Sequence, residues 1–299
     1  MKTRVLRTQR KRFVSLLLVF SAMVSLLVPF DITAFADAPA TGGDIRAVKY
    51  INGTTQELVF LNAFSELPTD KGNLIWDSFD QNLDGNQDDR IDISNLVPLN
   101  EALNSNGSPK VSSTSTLLDP SLNKRIKIPW GPERELADGK EKITTNITTV
   151  TFLDEIQPTS TAFWFSDLRN VTEFKNLSKL DTSKVTCMAE MFRYCQKVKS
   201  LDVGHFDTSK CESLWDMFTG CSQLTSLDVS RWDVSKVGGA AGLFFGCQNV
   251  TELDVSNWRT PKMFNMQGMF RQCRKLTKLD LHNFDFKNVV TIQSHPTKI

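Results

Sequence analysis

The sequence predicts an α/β fold, a right-handed solenoid of short parallel strands and short helices. The main observation is a phrase that recurs every 26 residues, as in MFTGCSQLTSLDVSRWDVSKV from Met217. Apolar residues keep the same positions in every copy. A unit of this length cannot bury its own apolar face, so consecutive units are expected to stack. Parallel strands joined by crossovers are almost always connected in a right-handed sense.

Three apolar columns define the predicted core. Each column has one member in each of four copies, and an aromatic residue closes each copy. A degenerate first copy lies upstream around Trp164, with Leu168 in place of the cysteine. The columns are Phe192, Phe218, Phe244 and Phe270; Cys195, Cys221, Cys247 and Cys273; and Leu201, Leu227, Leu253 and Leu279; the closing residues are Phe206, Trp232, Trp258 and Phe284.

Each copy is expected to contain one strand and one helix. Within LTSLDVS, Leu227 and Val229 alternate with the polar Ser226 and Asp228, which is typical of a strand with one buried face. The segment before the strand, as in VTCMAEMFRYC from Val185, has apolar residues at helical spacing. The strands would therefore line one side of the stack and the helices the other.

Residues 1–36 are predicted to be a signal peptide. Basic residues precede an apolar run from Phe13 to Phe30, and Ala34-Phe35-Ala36 matches the small-x-small pattern that signal peptidase cleaves. We expect export to the extracellular side, with cleavage near Ala36. The alternative is a retained membrane anchor, because the apolar run nearly spans a bilayer.

Four regions are expected after the signal peptide. They are a small polar and aromatic region at 37–103, a linker or irregular segment at 104–141, an N-terminal capping strand region at 142–159, and the repeats at 160–299. The capping strand is predicted from alternating β-branched residues after Lys142. Removal of residues 1–36 changes the formal net charge from +1 to −4. The remaining chain has no overall charge that favours nucleic acid.

A calcium loop is the candidate site outside the repeats. In DQNLDGNQDDRIDISNL, oxygen-bearing side chains alternate as in EF-hand loops. Glycine is missing from the sharp turn, however, and asparagine replaces the final bidentate glutamate. The other interpretation is an acidic surface turn; a bound calcium would be structural. The predicted loop positions are Asp84, Asn86, Asp88, Arg90, Asp92 and Asn95, with Asp80 and Asn82 in an overlapping register.

A row of carboxylates is the candidate binding face of the repeats. Strand parity directs these side chains away from the core, and stacking would space them at roughly 4.8 Å. They form either a face for a basic or cationic partner, or acceptors for nearby Ser, Thr and turn amides that fix the register. The row comprises Asp202, Asp228, Asp254 and Asp280.

The cysteines and histidines predict neither catalysis nor a metal site. Four of the six cysteines occupy one core column, and in-register neighbours on parallel strands lie too far apart for ordinary disulfide geometry. Buried free thiols are therefore expected, with Cys187 the most exposed. The histidines do not gather as zinc ligands would.

The segments LDTSKVTCMAEMFRYC, FDTSKCESLWDMFTGCSQLTSLDVSRWDVSKV and MFRQCRKLTKLDLHNFD resemble the 26-residue repeat of BspA-like leucine-rich-repeat surface proteins. These are exported proteins, found chiefly in Gram-positive bacteria and mycoplasmas. The resemblance covers residues 160–290. It implies a leucine-rich-repeat-like solenoid in a secreted or cell-surface protein that acts in adhesion or host interaction.

The expected function is therefore binding without catalysis, because no catalytic motif stands out. The expected partner is a protein or another component of the envelope or host surface. No small-molecule substrate is expected, and no cofactor other than the possible calcium. The alternatives are an architectural spacer of the envelope and, less favoured, a wall-active enzyme within residues 37–141.

The C-terminal coil is expected to offer a docking edge. The fifth copy starts at Asp285 but stops before its own strand, so the coil that contains Leu279 and Leu281 has no full unit to cover it. A second copy of the chain or a separate partner would add a strand there. The alternative is that the last coil frays.

Overall fold

The computed structural model describes residues 45–62, 65–71, 73–77, 116–119, 124–127, 133–137, 140–144 and 146–290. The described residues contain short strands, one 3-10 helix at Leu177–Lys179 and no α-helix. The strands are β1 (Ile45–Asn52), β2 (Thr55–Asn62), β3 (Asn73–Asp77), β4 (Thr116–Asp119), β5 (Lys124–Lys127), β6 (Glu133–Ala137), β7 (Lys140–Thr144), β8 (Ile147–Phe152), β9 (Glu173–Lys175), β10 (Ser200–Leu201) and β11 (Ser226–Leu227).

A mixed five-stranded sheet precedes the repeats, with the strand order β3-β1-β2-β8-β9. Strand β1 is antiparallel to β2 and β3, whereas β8 is parallel to both β2 and β9. The β1–β2 turn contains Gly53 at a φ of 62°, a left-handed conformation that glycine adopts without steric cost. The pairs β4–β5 and β6–β7 are separate antiparallel hairpins. The strand predicted after Lys142 is thus present, mainly as β8.

The two faces of this sheet bury different sets of side chains. Alternate residues of β2, Leu58 and Phe60, join the large core that continues through the repeats, while Val59 and Leu61 belong to a small second cluster. This alternation follows from the opposite directions of successive side chains along a strand. Because β8 pairs with β9, which lies in the degenerate first copy, the sheet and the repeats share one continuous core.

The four repeats, at 181–206, 207–232, 233–258 and 259–284, pair in parallel with an offset of 26 residues. Strand β10 pairs with β11 as Leu201 opposite Leu227, and the strand side continues as a bridge from Glu252 to Lys278. A second line of parallel bridges runs through Cys187, Ser213, Gly239 and Asn265. The predicted strand parity is confirmed, because Leu201, Leu227 and Leu253 are buried and Leu279 is half-buried, whereas the residue before each of them is exposed.

The prediction of a helix in each repeat is wrong, because consecutive tight turns occupy that segment. Amides such as those of Met191 and Cys195 donate to carbonyls three residues earlier. The alternate amides donate to the next repeat instead, as from Phe192 to the Met217 carbonyl at 2.9 Å. A helix would need all of these amides for carbonyls four residues earlier in the same segment.

Two positions in every repeat have left-handed backbone, which explains the helix-like spacing of the apolar residues. A left-handed residue reverses the chain locally, so turns of this kind bring side chains three and four positions apart onto one buried side. Glycine favours this conformation, and it supplies half of these positions. The first column is Glu190, Asp216, Gly242 and Gly268, and the second is Tyr194, Gly220, Gly246 and Gln272, with φ between 51° and 74°.

Aromatic side chains stack along the whole array. The Phe165, Phe192, Phe218, Phe244 and Phe270 rings follow one another at centroid distances of 5.5, 5.7, 5.9 and 5.7 Å. The residues that close the repeats form a second stack at 6.2 to 6.4 Å. The predicted Phe column is therefore core, and its rings lie at distances typical of favourable offset stacking.

Among the described residues, no helix is long and apolar enough to cross a membrane. The predicted signal peptide lies outside the described residues.

Candidate functional surface of the repeats

The D-T-S-K turns join neighbouring repeats. The carboxylate of Asp207 accepts the Ser209 amide at 2.9 Å, which closes a local turn. The hydroxyl of the buried Thr208 donates to the carbonyl of Asp233 in the next repeat at 3.0 Å. The lysine that follows is exposed in each of the four repeats. The threonine of this turn is therefore used in stacking, and its lysine faces solvent.

The row of Asp202, Asp228, Asp254 and Asp280 is exposed, and three of its carboxylates are held by local hydrogen bonds. Asp228 accepts the amide of Ser230 at 3.1 Å and its hydroxyl at 2.7 Å, and Asp254 has the same two bonds from its own serine. These bonds, the side-chain one foremost, hold the pKa of both carboxyls below the usual range.

The ends of this row differ from its middle. Asp280 takes its bonds from the His282 ring and amide, at 2.8 and 3.1 Å, and they likewise lower its pKa. Asp202 has Gly204 where the others have a hydrogen-bonding side chain, and it lies 3.9 Å from His205. Three carboxylates of the row are therefore held by the turns of their own repeats; both a role in fixing the register and binding at this face stay predictions.

The cysteine column links repeats through thiol-to-carbonyl contacts. The thiol of Cys221 donates to the carbonyl of Phe192 in the preceding repeat at 3.1 Å, and that of Cys247 donates to Phe218 at 3.3 Å. Indole N–H groups also donate to the preceding repeat, as from Trp258 to the Val229 carbonyl at 3.0 Å. The cysteines are free thiols, and burial raises the pKa of the column members well above the ordinary value.

The expectation that Cys187 is the most exposed cysteine is wrong. Cys187 is only 3% exposed, and burial raises the pKa of its thiol to about 11. It forms the parallel bridge to Ser213, and this bridge draws it into the stack. Cys273 of the last repeat is instead half-buried.

A charged patch on the turn side was not predicted from the sequence. We use this name for Asp167, Arg169, Glu190, Arg193, Tyr194 and Asp216. Glu190 is 7% exposed and pairs with Arg193 at 3.2 Å. The Tyr194 ring lies between two guanidinium groups, at 5.2 Å from Arg169 and 4.5 Å from Arg193. Three carboxylates from three successive copies thus approach one another.

Burial dominates the electrostatics of this patch. It raises the pKa of Glu190 to about 7, and the attraction of Arg193 does not cancel it because Asp216 and Asp167 also face the carboxylate. Burial acts to lower the pKa of Arg193, but the surrounding acidic groups, Glu190 foremost, together outweigh it and leave the pKa raised. Burial also raises the pKa of Asp216, which accepts the Thr219 hydroxyl at 2.6 Å.

One sequence signal could have located the patch. Glu190 and Asp216 occupy the column that Gly242 and Gly268 fill in the later repeats. The Asp216 side chain lies against Gly242, where any Cβ would collide with its carboxylate. A charged residue in a column that glycine fills in the later repeats was therefore the available sign of this patch.

Two open clefts lie elsewhere on the described part of the chain. One, of about 250 Å³, lies at the ends of β1, β2 and β8; there Glu57 pairs with Lys71 at 3.1 Å and accepts the Thr151 hydroxyl at 2.5 Å. The other, of about 510 Å³, lies between two repeats and is lined by Arg231, Asp233 and Arg259 among others. Both have charged side chains at their walls.

Calcium binding stays a prediction, because the candidate loop at 80–95 lies outside the described residues. Within the described part of the chain, no group of three or more His, Cys, Asp or Glu side chains is arranged to hold a metal ion.

The comparisons with known proteins identify the repeats. Residues 159–273 and 223–295 match the family model described as Mycoplasma protein of unknown function, DUF285. No curated protein and no solved structure matches the chain. Residues 159–295 are therefore repeats of the DUF285 type, which is related to leucine-rich-repeat-like surface repeats.

Proposed function

We propose that the chain is an exported, non-enzymatic surface protein whose repeats form a right-handed, leucine-rich-repeat-like solenoid with a binding face. The parallel pairing at an offset of 26 residues supports the solenoid. The family of the repeats and the signal-peptide pattern at 1–36 support a place at or outside the cell surface. The partner would be a protein or another component of the envelope or host surface.

The observation that carries this proposal is the row of exposed carboxylates Asp202, Asp228, Asp254 and Asp280. Hydrogen bonds fix the orientation of three of these groups before any partner arrives. Pre-organised charges at a regular spacing bind a complementary partner with little further loss of conformational entropy. A basic protein segment would match such a row.

A charge-removal series on immobilised envelope and host-matrix components tests the proposal. The test variant is Asp228→Asn/Asp254→Asn/Asp280→Asn, because asparagine retains the acceptor oxygen of the local turn while it removes the charge. The control is Asp207→Asn/Asp233→Asn/Asp285→Asn, which changes the same net charge in the D-T-S-K row. Binding lost only in the first variant supports the proposal. Equal binding by the wild type, the test variant and the control variant would contradict the proposed face. If none of them binds any component, the architectural spacer is favoured.

A further inference from the structure

The last repeat differs from the others in charge. Repeat 259–284 contains six Lys and Arg residues, one Asp and no Glu, whereas the two preceding repeats each have more acidic than basic residues. The Asp column of the turns is occupied there by Arg259. Residues 291–299 include Lys298 but no acidic side chain. The basic residues are Arg259, Lys262, Arg271, Arg274, Lys275 and Lys278, and all six are exposed.

These cations are mostly uncompensated. Within the described residues, Lys278 forms an ion pair, with Glu252 at 3.7 Å, and Arg271 lies over the Phe245 ring at 5.7 Å. No ion pair involves the other four in that part of the chain. The six basic residues come from the D-T-S-K turn, from the left-handed turns and from the segment before the strand. They therefore lie around the circumference of the coil.

The same end of the array exposes apolar side chains. Phe244 and Leu253 are fully or nearly fully buried, but their counterparts Phe270 and Leu279 in the last repeat are only half-buried. Among the described residues, Phe286 and Val290 are the large hydrophobic side chains with substantial exposure, at 47% and 83%. We call the six basic residues together with Phe286 and Val290 the basic end.

We propose that the basic end is a contact site for an anionic phospholipid surface. Clustered Lys and Arg attract acidic headgroups, and exposed aromatic and aliphatic side chains enter the headgroup boundary. Such a surface is flat and needs no groove, and Arg259 is the one member of the basic end that lines either of the two clefts described above. End-to-end pairing with a second copy of the chain is disfavoured, since two basic ends would repel each other.

Sedimentation with lipid vesicles tests this proposal. The probes are vesicles of phosphatidylcholine alone and vesicles with added phosphatidylglycerol. The test variant is Lys262→Glu/Arg274→Glu/Lys275→Glu. The control is Lys184→Glu/Lys210→Glu/Lys236→Glu, which makes the same charge change at exposed turn lysines of the earlier repeats. All proteins have the same N-terminus, so leader residues affect each of them equally.

We expect the wild-type and control proteins to sediment with the anionic vesicles. The bound fraction should fall when the salt concentration rises, because surface charges are then screened. The test variant should partition at least about tenfold more weakly. Phe286→Ser/Val290→Ser should also weaken binding, and it changes no charge. Circular dichroism melts establish that each variant is folded.

Three outcomes would overturn the proposal. The first is equal binding of the test and control variants, and the second is equal binding to the two kinds of vesicle. The third is binding of soluble poly-glutamate without binding to vesicles, which would assign the basic end to an acidic protein partner. The Asp-to-Asn variants of the binding face should still bind vesicles, so this proposal and the proposed function fail independently.

Discussion

At the scale of single residues, polar groups of the repeat are used to join one repeat to the next. The turn threonine, the cysteine thiol and the tryptophan indole each donate to a carbonyl of a neighbouring repeat, as Thr208, Cys221 and Trp258 do. A buried donor that lacks an acceptor costs about 1–3 kcal/mol. Each of these side chains therefore favours the 26-residue register over a slipped one.

Glu190 should make stability depend on pH. Its folded-state pKa of about 7 lies above the ordinary value of 4.5, so the folded protein holds this proton more tightly than the unfolded chain does. Protonation of Glu190 adds to the free energy of unfolding, and this contribution is fully present below pH 4.5. It falls by up to roughly 3 kcal/mol as the pH rises through 7.

The variant Glu190→Gln should remove this dependence. Its free energy of unfolding, measured by urea melts, should rise relative to wild type between pH 4.5 and 8. Glu212→Gln, which removes an exposed carboxylate from the neighbouring repeat, serves as the control and should run parallel to wild type. A constant difference between Glu190→Gln and wild type over this pH range would show that Glu190 is ionised throughout.

At the scale of elements, the turn segment depends on its left-handed positions. Gly220 and Gly246 have φ of 73° and 74° in the same column of adjacent repeats. A Cβ at 246 would meet nothing closer than 3.6 Å, whereas one at 220 would collide with the Tyr194 ring. The two positions thus separate backbone strain from steric collision.

We expect Gly246→Ala to cost about 1–2 kcal/mol, the strain of a left-handed alanine. Gly220→Ala should cost more, because Tyr194 must also leave its place between the two guanidinium groups. Urea melts of both variants measure the difference. If alanine is equally tolerated at both positions, or if either variant is more stable than wild type, the turn structure described above is wrong.

The aromatic column gives a second prediction for the elements. Phe218→Ala removes a fully buried ring between two stacked neighbours and should cost about 3–5 kcal/mol. Phe270→Ala removes a half-buried ring from the same column and should cost clearly less. A loss below about 1 kcal/mol at Phe218 would mean that this column is not the core.

The sequence predicted the apolar columns, the strand parity and the β8 strand, because period and alternation report burial directly. It did not distinguish turns from a helix, since consecutive three-residue turns also place Met188, Met191 and Cys195 on one side. Glycines at 220, 242, 246 and 268 were the available sign of left-handed backbone. The charged patch was missed because Glu190 and Asp216 lie at polar positions of a supposed helix, where burial is not visible in the pattern.

At the scale of the whole molecule, the array has two different ends and two different sides. Its first copy joins a mixed sheet through β8 and β9 and shares a core with it. Its last repeat is basic and partly uncovered, while the strand side presents a row of acidic groups. A stack of this kind fixes the positions of such surfaces relative to the core, which suits a protein that works by contact.

The stacked-turn structure depends on hydrogen bonds between repeats in the turn segment. NMR detects such bonds through scalar coupling between the amide nitrogen and the carbonyl carbon. The structure places the Phe218 amide 2.9 Å from the carbonyl oxygen of Leu243, in the next repeat. We predict a cross-bond correlation from the Phe218 nitrogen to the Leu243 carbonyl carbon. The same experiment should show Phe192 coupled to Met217 and Phe244 coupled to Met269. A correlation from Phe218 to Leu214, four residues earlier, would instead indicate a helix and would contradict the stacked-turn structure.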